Sequence, residues 1–200
     1  TLTLKGAADG RLFIRAEIGG DKPNAKLHIV VADPADGTIV ADELLPAGMR
    51  KVRTEIATRA EHLWSPNDPY LYDVTATLEF GAAKSQGKQE KLQQESQEIQ
   101  EKPAKSQEKQ DIVRSYCAFR TVEIKPDLKG IARFHLNAKP VFLKGVLDQG
   151  YWPDGLLTAP SDEALVHDIT AMKESGFTML RKHIKIESAR WYYHCDRLGM

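Results

Sequence analysis

Two groups of polar and aromatic side chains in the last third of the chain have the types and spacing to do chemistry. Asp148 and Gln149, with Trp152 close behind, follow one apolar stretch, and Arg181 and His183 end another. Carboxylate, amide and imidazole groups exchange hydrogen bonds with a polar ligand, and an indole ring offers a flat apolar face. We therefore predict a ligand site where these two segments end.

Further acids lie near the same two places, but familiar catalytic motifs are missing from the sequence. Asp154 and Glu187, like Asp148, could act in acid and base catalysis only inside a pocket that sets their pKa values. The sequence contains neither a glycine-rich phosphate loop nor a Gly-x-Ser-x-Gly turn. Other histidines lack the spacing of metal ligands; they are His28, His62, His135, His167 and His194. We expect no cofactor and no metal site.

Composition argues against two classes of partner. Lys and Arg number 28, Asp and Glu also number 28, and the isoelectric point is near 7.0, so the chain has no positive field for a phosphate backbone. No apolar run approaches the roughly 20 residues that cross a bilayer. The first residues include neither an initiator Met nor a signal peptide, so we expect the chain to begin within a longer protein. Neither nucleic acid nor a membrane is an expected partner.

The two cysteines, Cys117 and Cys195, are expected to be buried and unreactive. They have no CxxC or His-ligand spacing around them, and they lie in segments that we interpret as a strand and a helix. A disulfide between them is the alternative.

Short stretches that alternate apolar and polar residues predict β-strands in the first part of the chain. Examples begin at Leu12, Leu27 and Val52, and longer ones cover 70–80 and 111–124. Turn residues such as Asp33-Pro34-Ala35-Asp36-Gly37 separate them. Strands at this spacing with no helix between them are typical of an antiparallel β-sandwich, and we expect Trp64 to lie in the core.

The segment from about residue 84 to 110 has a composition that cannot form a core. It consists almost entirely of Gln, Glu, Lys and Ser, with Leu92 and Ile99 as its only large apolar residues. Because it lies between two predicted strands, we interpret it as an insertion at a hairpin tip. It would be either a solvated spacer or a helix that binds a partner.

The last 60 residues change to alternating strands and helices. The apolar run at 141–147 predicts a strand covered on both faces, and Ser161 predicts the start of a helix that ends near Gly176. The buried side of that helix would consist of Leu165, Ile169 and Met172. A strand over 177–184 and a helix from about Ser188 follow. This β-α-β-α order makes the two strands parallel neighbours, as in a barrel or a doubly wound sheet.

Three stretches of the sequence occur in an order that one enzyme family shares. The first is Leu63-Trp64-Ser65-Pro66-Asn67-Asp68-Pro69-Tyr70-Leu71-Tyr72, a turn followed by the start of a strand. The second is Phe119-Arg120-Thr121-Val122-Glu123-Ile124, continued by 134–145. The third is 176–199, with Leu180-Arg181-Lys182-His183 and Trp191-Tyr192-Tyr193-His194-Cys195-Asp196-Arg197-Leu198-Gly199. Together they resemble the sandwich domain, the passage to the barrel and the second barrel strand and helix of glycoside hydrolase family 2, which includes β-galactosidases, β-glucuronidases and β-mannosidases.

The resemblance implies a retaining hydrolase of β-linked sugars. Such enzymes use two carboxyls about 5 to 5.5 Å apart, which in this family are glutamates on later barrel strands. We expect both to lie beyond Met200, so that this chain alone is inactive. The resemblance further implies that Arg181 orients the nucleophile carboxylate. His183, Asp148 and Gln149 are candidates to bind sugar hydroxyls, and Trp152, next to Tyr151, is a candidate to stack on a sugar ring. The structural alternatives are an ion pair for Arg181, a structural role for His183 and loop packing for Trp152.

Two features depart from the family pattern. The family usually carries Asn-Gly in the hairpin before the first barrel strand, whereas Ala138 follows Asn137 here, so a left-handed backbone there would be mildly strained. The family's β-galactosidases often have Arg-x-x-His after the second strand. This chain has Arg181-Lys182-His183, which places the histidine one position out of register.

The sequence thus predicts a mainly β protein with a C-terminal α/β part. Residues 1–124 would form an immunoglobulin-like antiparallel β-sandwich, and 125–200 a linker hairpin and the first two βα units of an incomplete (β/α)₈ (TIM) barrel. The expected partner of the intact enzyme is a carbohydrate substrate. The alternative is a non-catalytic carbohydrate-binding or interaction module.

Overall fold

The computed structural model describes residues 1–20, 24–48, 50–80 and 110–200. Apart from Gln110, the segment interpreted as an insertion lies outside the described residues. The described chain is mainly β, and its elements in order are β1 (Leu2–Gly6), β2 (Arg11–Glu17), β3 (Lys26–Ala32), β4 (Ile39–Pro46), β5 (Lys51–Ala57), β6 (Tyr72–Glu79), β7 (Asp111–Cys117), β8 (Val122–Pro126), β9 (Ala132–Leu136), β10 (Lys139–Pro140), β11 (Gly145–Asp148), α1 (Asp162–Glu174), β12 (Met179–Lys182) and α2 (Ala189–Leu198).

The first seven strands form two antiparallel sheets around one core. One sheet has the order β1-β2-β5 and the other has the order β4-β3-β6-β7. In β2, Leu12, Ile14 and Ala16 are buried while the residues between them are exposed, so one side of the strand faces the core. Ile29 and Val74 belong to the same core from the second sheet. Burial of an aliphatic side chain contributes roughly 1.5–3 kcal/mol, so this core is the main source of the sandwich's stability.

The prediction of one strand over 111–124 is wrong, because the structure has two strands there in different sheets. β7 ends at Cys117 and pairs with β6, whereas β8 begins at Val122 and pairs with β9. Between them, Phe119 is fully buried in the sandwich core and forms a bridge to Gly6. The crossing contains no glycine or proline, so the change of sheet left no turn signal in the sequence.

The C-terminal part combines a small sheet with a parallel pair of strands and two helices. The small sheet has the order β8-β9-β10, and β11 pairs with β12 in parallel, which confirms the predicted parallel neighbours. Helix α1 connects β11 to β12, and α2 follows β12. The helices share a second core of Leu165, Ile169, Trp191 and Cys195.

Both helices end at the glycines that the sequence indicated. The Ser161 hydroxyl accepts a hydrogen bond from the Ala164 backbone N–H at 3.2 Å, which caps α1 as predicted. Gly176 (φ 84°) and Gly199 (φ 77°) have the left-handed backbone that terminates a helix. In α1 Leu165 and Ile169 are buried, whereas Met172, the third residue of the predicted stripe, is only half-buried.

The apolar run at 141–147 forms less strand than predicted. Only β11, from Gly145 onwards, is a strand. Phe142 is 80% exposed and Leu147 is 55% exposed, so the prediction of a strand covered on both faces is wrong for the described part of the chain.

The hairpin between β9 and β10 has the left-handed backbone expected there. Asn137 has φ 49° and Ala138 has φ 64°, a conformation that costs energy for alanine. The Asn137 side chain also joins neighbouring segments, because its amide accepts from the Thr121 backbone N–H at 3.0 Å and donates to the Trp64 carbonyl at 3.0 Å.

Trp64 is buried as predicted, but it lies against α2 and outside the main sandwich core. Its indole N–H donates to the Asp196 carbonyl at 2.7 Å. The Asp196 carboxylate in turn accepts from the Tyr116 hydroxyl at 3.0 Å and from Arg120 at 3.1 Å. The Arg120 guanidinium also lies 4.3 Å from the centre of the Trp64 ring. Asp196 therefore attaches α2 to the sandwich.

Both cysteines are buried and free, as expected, and no disulfide joins them. Burial raises the pKa of the Cys117 and Cys195 thiols to about 12, so neither forms a reactive thiolate at neutral pH. Neither helix in the described part of the chain is long and apolar enough to cross a membrane.

Candidate functional site

The polar ends of β11 and β12 lie side by side. In the parallel pairing Leu147 is opposite Arg181 and Asp148 is opposite Lys182. The next backbone N–H, that of His183, donates to the Asp148 carbonyl at 2.9 Å. Because parallel neighbours end at the same edge, side chains from both strands and from the loops after them converge here.

Two lysines and two carboxylates form a network at this edge. Lys182 Nζ lies 2.7 Å from Asp148 Oδ2, 2.8 Å from Glu187 Oε1 and 4.7 Å from the centre of the Trp191 ring. Lys185 Nζ lies 2.9 Å from the same Glu187 oxygen. The side chains of Lys182, Lys185 and Glu187 are only 10%, 13% and 8% exposed. Two positive and two negative charges together leave no buried charge without a partner.

Ion pairing outweighs burial in this network. Burial alone would lower the pKa of Lys182, but hydrogen bonds to Asp148 and Glu187 raise it above the ordinary value. For Glu187, burial alone would raise the pKa, and hydrogen bonds from Lys182 and Lys185 outweigh that effect and lower it. Lys182 and Glu187 therefore stay charged at neutral pH.

The same network holds the loop that follows β11. Lys185 Nζ donates to the carbonyl oxygens of Gly150 at 3.0 Å and Leu157 at 2.7 Å. Asp148 Oδ1 accepts from the Gly150 N–H at 2.9 Å. Gly150 has φ +62°, and a Cβ at this position would lie 2.3 Å from Glu187 Oε1. Glycine at this residue therefore avoids a strained backbone and leaves the charged side-chain ends in place.

Gln149 and His183 are in direct contact across the two loops. Gln149 Nε2 lies 2.9 Å from His183 Nδ1. An amide nitrogen can only donate, so Nδ1 accepts and the ring proton is on Nε2. Nε2 has no hydrogen-bond partner among the residues that the structure describes, and it can donate to a ligand. Asp148, Gln149 and His183, three of the five predicted site residues, are thus brought together.

Arg181 and Trp152 form no side-chain hydrogen bond with that group among the described residues. Arg181 is exposed and, in the described part of the chain, has no ion pair. It lies on the opposite side of β12 from Lys182, because side chains alternate along a strand. Trp152 is half-buried and packs against the helical core, to which Leu180 also contributes.

The chain is similar in sequence to proteins that are named as β-galactosidases. No protein-family profile matches the chain. Over 191 residues it is 24% identical to a β-galactosidase of Lactobacillus delbrueckii subsp. bulgaricus, a match that covers 96% of this chain and 16% of that protein. Over 82 residues it is 33% identical to a β-galactosidase of Photobacterium profundum, covering 41% of this chain and 7% of that protein.

Solved structures share the fold across the whole chain. The crystal structure of Parabacteroides merdae β-glucuronidase matches with a TM-score of 0.71 at 17% identity, covering 100% of this chain and 22% of that one. A glycosyl hydrolase family 2 member from Bacteroides cellulosilyticus matches with a TM-score of 0.65 at 23% identity, covering 100% and 23%. The relatives are named as β-galactosidases, and the structural neighbours include a glycosyl hydrolase family 2 member. The resemblance inferred from the sequence is confirmed, and the chain spans 16 to 18% of the first β-galactosidases that it matches.

The sequence interpretation of this chain missed Lys182 and Lys185. Both have the appearance of surface lysines in a one-dimensional sequence, and Glu187 was noticed only as a candidate acid. The available signal was a lysine and an aspartate at equivalent ends of two strands. That signal becomes visible only when β11 and β12 are aligned in register.

Proposed function

We propose that this chain is part of a retaining family 2 glycosidase that hydrolyses β-linked sugars, and that it supplies a supporting sandwich and one edge of the sugar site. The observation that carries the proposal is the polar edge of Asp148, Gln149 and His183 at the carboxyl ends of two parallel strands. Barrel enzymes hold their substrates at this edge. The names of the relatives, β-galactosidase and β-glucuronidase, support the same chemistry.

We further propose that the chain divides near residue 124 into an immunoglobulin-like sandwich and the first two βα units of a (β/α)₈ barrel. The sheet orders β1-β2-β5 and β4-β3-β6-β7 support the immunoglobulin-like arrangement. Two parallel strands, each followed by a helix, support the barrel. Exposed apolar side chains beside and on these strands, such as Phe142 and Leu147, are further support, because additional barrel strands would cover them.

In this proposal each polar residue of the edge has a separate role. Asp148, Gln149 and His183 bind sugar hydroxyls, and the exposed guanidinium of Arg181 donates to the nucleophile carboxylate. Trp152 was predicted as a stacking platform, but its half-buried position in the helical core favours the alternative of loop packing. Tyr151, 61% exposed in the same loop, is the freer aromatic surface for a sugar ring.

We further propose that the two catalytic carboxylates are not among the described residues. A retaining enzyme needs one carboxyl with a raised pKa to act as the acid. The pKa of Glu187 is lowered, and the Asp148 carboxylate is paired with the same Lys182 ammonium. The isolated chain is therefore expected to be inactive.

Turnover of nitrophenyl β-galactoside and β-glucuronide tests the proposal. The full-length protein that carries this chain should release nitrophenol, and the isolated chain should not. In the full-length protein, Arg181→Gln should lower kcat/KM by roughly 100-fold, because a charged hydrogen bond to a reacting group is lost. Arg15→Gln, on the solvent side of β2 in the sandwich, should leave kcat/KM unchanged.

Two outcomes would contradict the proposal. Hydrolysis by the isolated chain would mean that its own carboxylates are catalytic. A full-length protein that binds sugars but never hydrolyses them would favour a non-catalytic carbohydrate-binding module.

A further inference from the structure

Both chain neighbours of Gln149 are held by the network that Lys182 and Lys185 form. On one side, Asp148 is fixed by Lys182 Nζ at 2.7 Å. On the other side, the Gly150 carbonyl accepts from Lys185 at 3.0 Å and its N–H donates to Asp148 at 2.9 Å. These contacts restrain the backbone on both sides of Gln149, so that its Cα stays beside His183 and its side chain is within reach of the ring.

The direction of the Gln149 contact determines what His183 can offer a ligand. The Gln149 amide nitrogen donates to His183 Nδ1 at 2.9 Å, so the neutral ring carries its proton on Nε2. Without that contact, the proton of a neutral imidazole would exchange between the two nitrogens. A ring with the other tautomer would present a lone pair at Nε2 in place of a donor.

We propose that Lys182, Lys185 and Glu187 are positioning residues of the sugar site: by restraining the loop around Gln149, they keep the proton of His183 on Nε2. This inference rests on the proposed function and deepens it, because it makes His183 the donor and a sugar oxygen the acceptor. The three residues do not touch the substrate and act only through Gln149.

The composition of the network favours positioning over simple stabilisation. A buried ion-pair network stabilises a protein no more than well-packed apolar side chains of similar volume would. This one, however, links four points along the chain, since Asp148 and Gly150 end or follow one strand while Lys182 and Glu187 end or follow the other. Apolar contacts would not set the direction of an amide group.

The tautomer of His183 can be measured directly by ¹⁵N NMR of the ring nitrogens in the isolated chain. Wild type should show a single form with the proton on Nε2. Lys182→Met should show exchange between both forms, and Gln149→Leu, which removes the donor but leaves the network, should do the same. In the full-length protein, Lys182→Met should also lower kcat/KM for nitrophenyl β-galactoside by roughly 10- to 100-fold, as expected for a misplaced binding group.

Lys173→Met is the matched control. Lys173 also donates to partly buried backbone carbonyls, those of Pro66 at 2.7 Å and Leu198. Among the described residues it forms no hydrogen bond with the Gly150 loop. It should leave the His183 tautomer single. If Lys182→Met does not fold, Glu187→Gln makes the same test, because it weakens the network and leaves Gln149 in place.

A folded Lys182→Met chain whose His183 keeps a single form protonated on Nε2 would overturn the inference. So would a wild-type chain that already shows both forms. The proposed function fails by a different result, the absence of nitrophenol release from the full-length wild type. The NMR measurement does not depend on that activity, so the two failures are distinguishable.

Discussion

Gly150 and Gly176 both have a left-handed backbone, but their surroundings differ. A Cβ at Gly150 would meet Glu187 Oε1 at 2.3 Å and Lys182 Nζ at 2.9 Å, whereas a Cβ at Gly176 would meet nothing within 4 Å. Gly176→Ala should therefore cost only the backbone penalty, about 1–2 kcal/mol of unfolding free energy. Gly150→Ala should cost more than Gly176→Ala, because the charged side-chain ends that the Cβ would meet must also move. Urea unfolding of both variants measures the difference, and equal losses would contradict the close packing at Gly150.

The lowered pKa of Glu187 predicts a pH dependence. Its stabilising effect is fully present above the unfolded pKa of about 4.3 and is lost as the pH falls through the lower folded value. Wild type should therefore be more stable than Glu187→Gln by a constant margin between about pH 5 and 7, and the margin should shrink as the pH falls further. Thermal unfolding from pH 7 to 3 measures it. A margin that widens in acid would have the wrong sign for this ion pair.

At the scale of residues, the sequence identified the places where functional groups occur but not how they contact one another. Asp148 and Gln149 were predicted because they follow an apolar stretch, a local signal, whereas His183 was predicted from the family resemblance. Their contacts depend on the register between β11 and β12, which joins residues more than 30 positions apart. The roles of Lys182 and Lys185 depend on the same register, and no local pattern distinguishes them from surface lysines.

At the scale of elements, the hairpin after β9 carries a residue that its backbone disfavours. Ala138 has φ 64°, in a turn where glycine is the usual second residue. Ala138→Gly should therefore raise the unfolding free energy by about 0.5–1 kcal/mol. Ala132→Gly, at an exposed position of β9 in the same hairpin, should lower the unfolding free energy by a similar amount, because glycine weakens an ordinary strand. Denaturant unfolding compares the two, and a loss of stability in Ala138→Gly would contradict the strain.

The elements predicted best are those whose first or last residues carry a recognisable sequence signal. Helix α1 begins after Ser161 as its capping residue indicated, and both helices stop at glycines. The two errors, one strand over 111–124 and a covered strand over 141–147, have a common cause. Alternation and apolarity show that a segment is extended, but they do not show which sheet it joins or what covers it. Phe119 illustrates this, because it belongs to the sandwich core although the next strand pairs elsewhere.

At the scale of the whole molecule, the sandwich and the helices are joined through few polar contacts. Asp196 on α2 receives three of them, from Trp64, Tyr116 and Arg120, and Lys173 on α1 donates to the Pro66 carbonyl at 2.7 Å. Because β12 packs against α2 through the shared helical core, these contacts also position the strand that carries Arg181. This geometry is what the proposed function requires, in which the sandwich supports one edge of the sugar site.

Asp196→Ala tests this coupling. It leaves the Trp64 bond to the backbone carbonyl but removes the acceptor of Tyr116 and Arg120, which should cost about 2–3 kcal/mol. Burial is the largest cause of the raised pKa of Tyr116 and the Asp196 charge is the next, so the variant should lower that pKa while leaving it above the usual value of about 10.

Hydrogen exchange should become faster in α2 than in β6, so that the two halves open separately. Asp168→Ala, on the exposed side of α1, should change neither quantity. An unchanged pKa of Tyr116 in a folded Asp196→Ala variant would mean that the carboxylate does not hold α2 on the sandwich, because a charge 3.0 Å from the hydroxyl cannot be removed without favouring the phenolate.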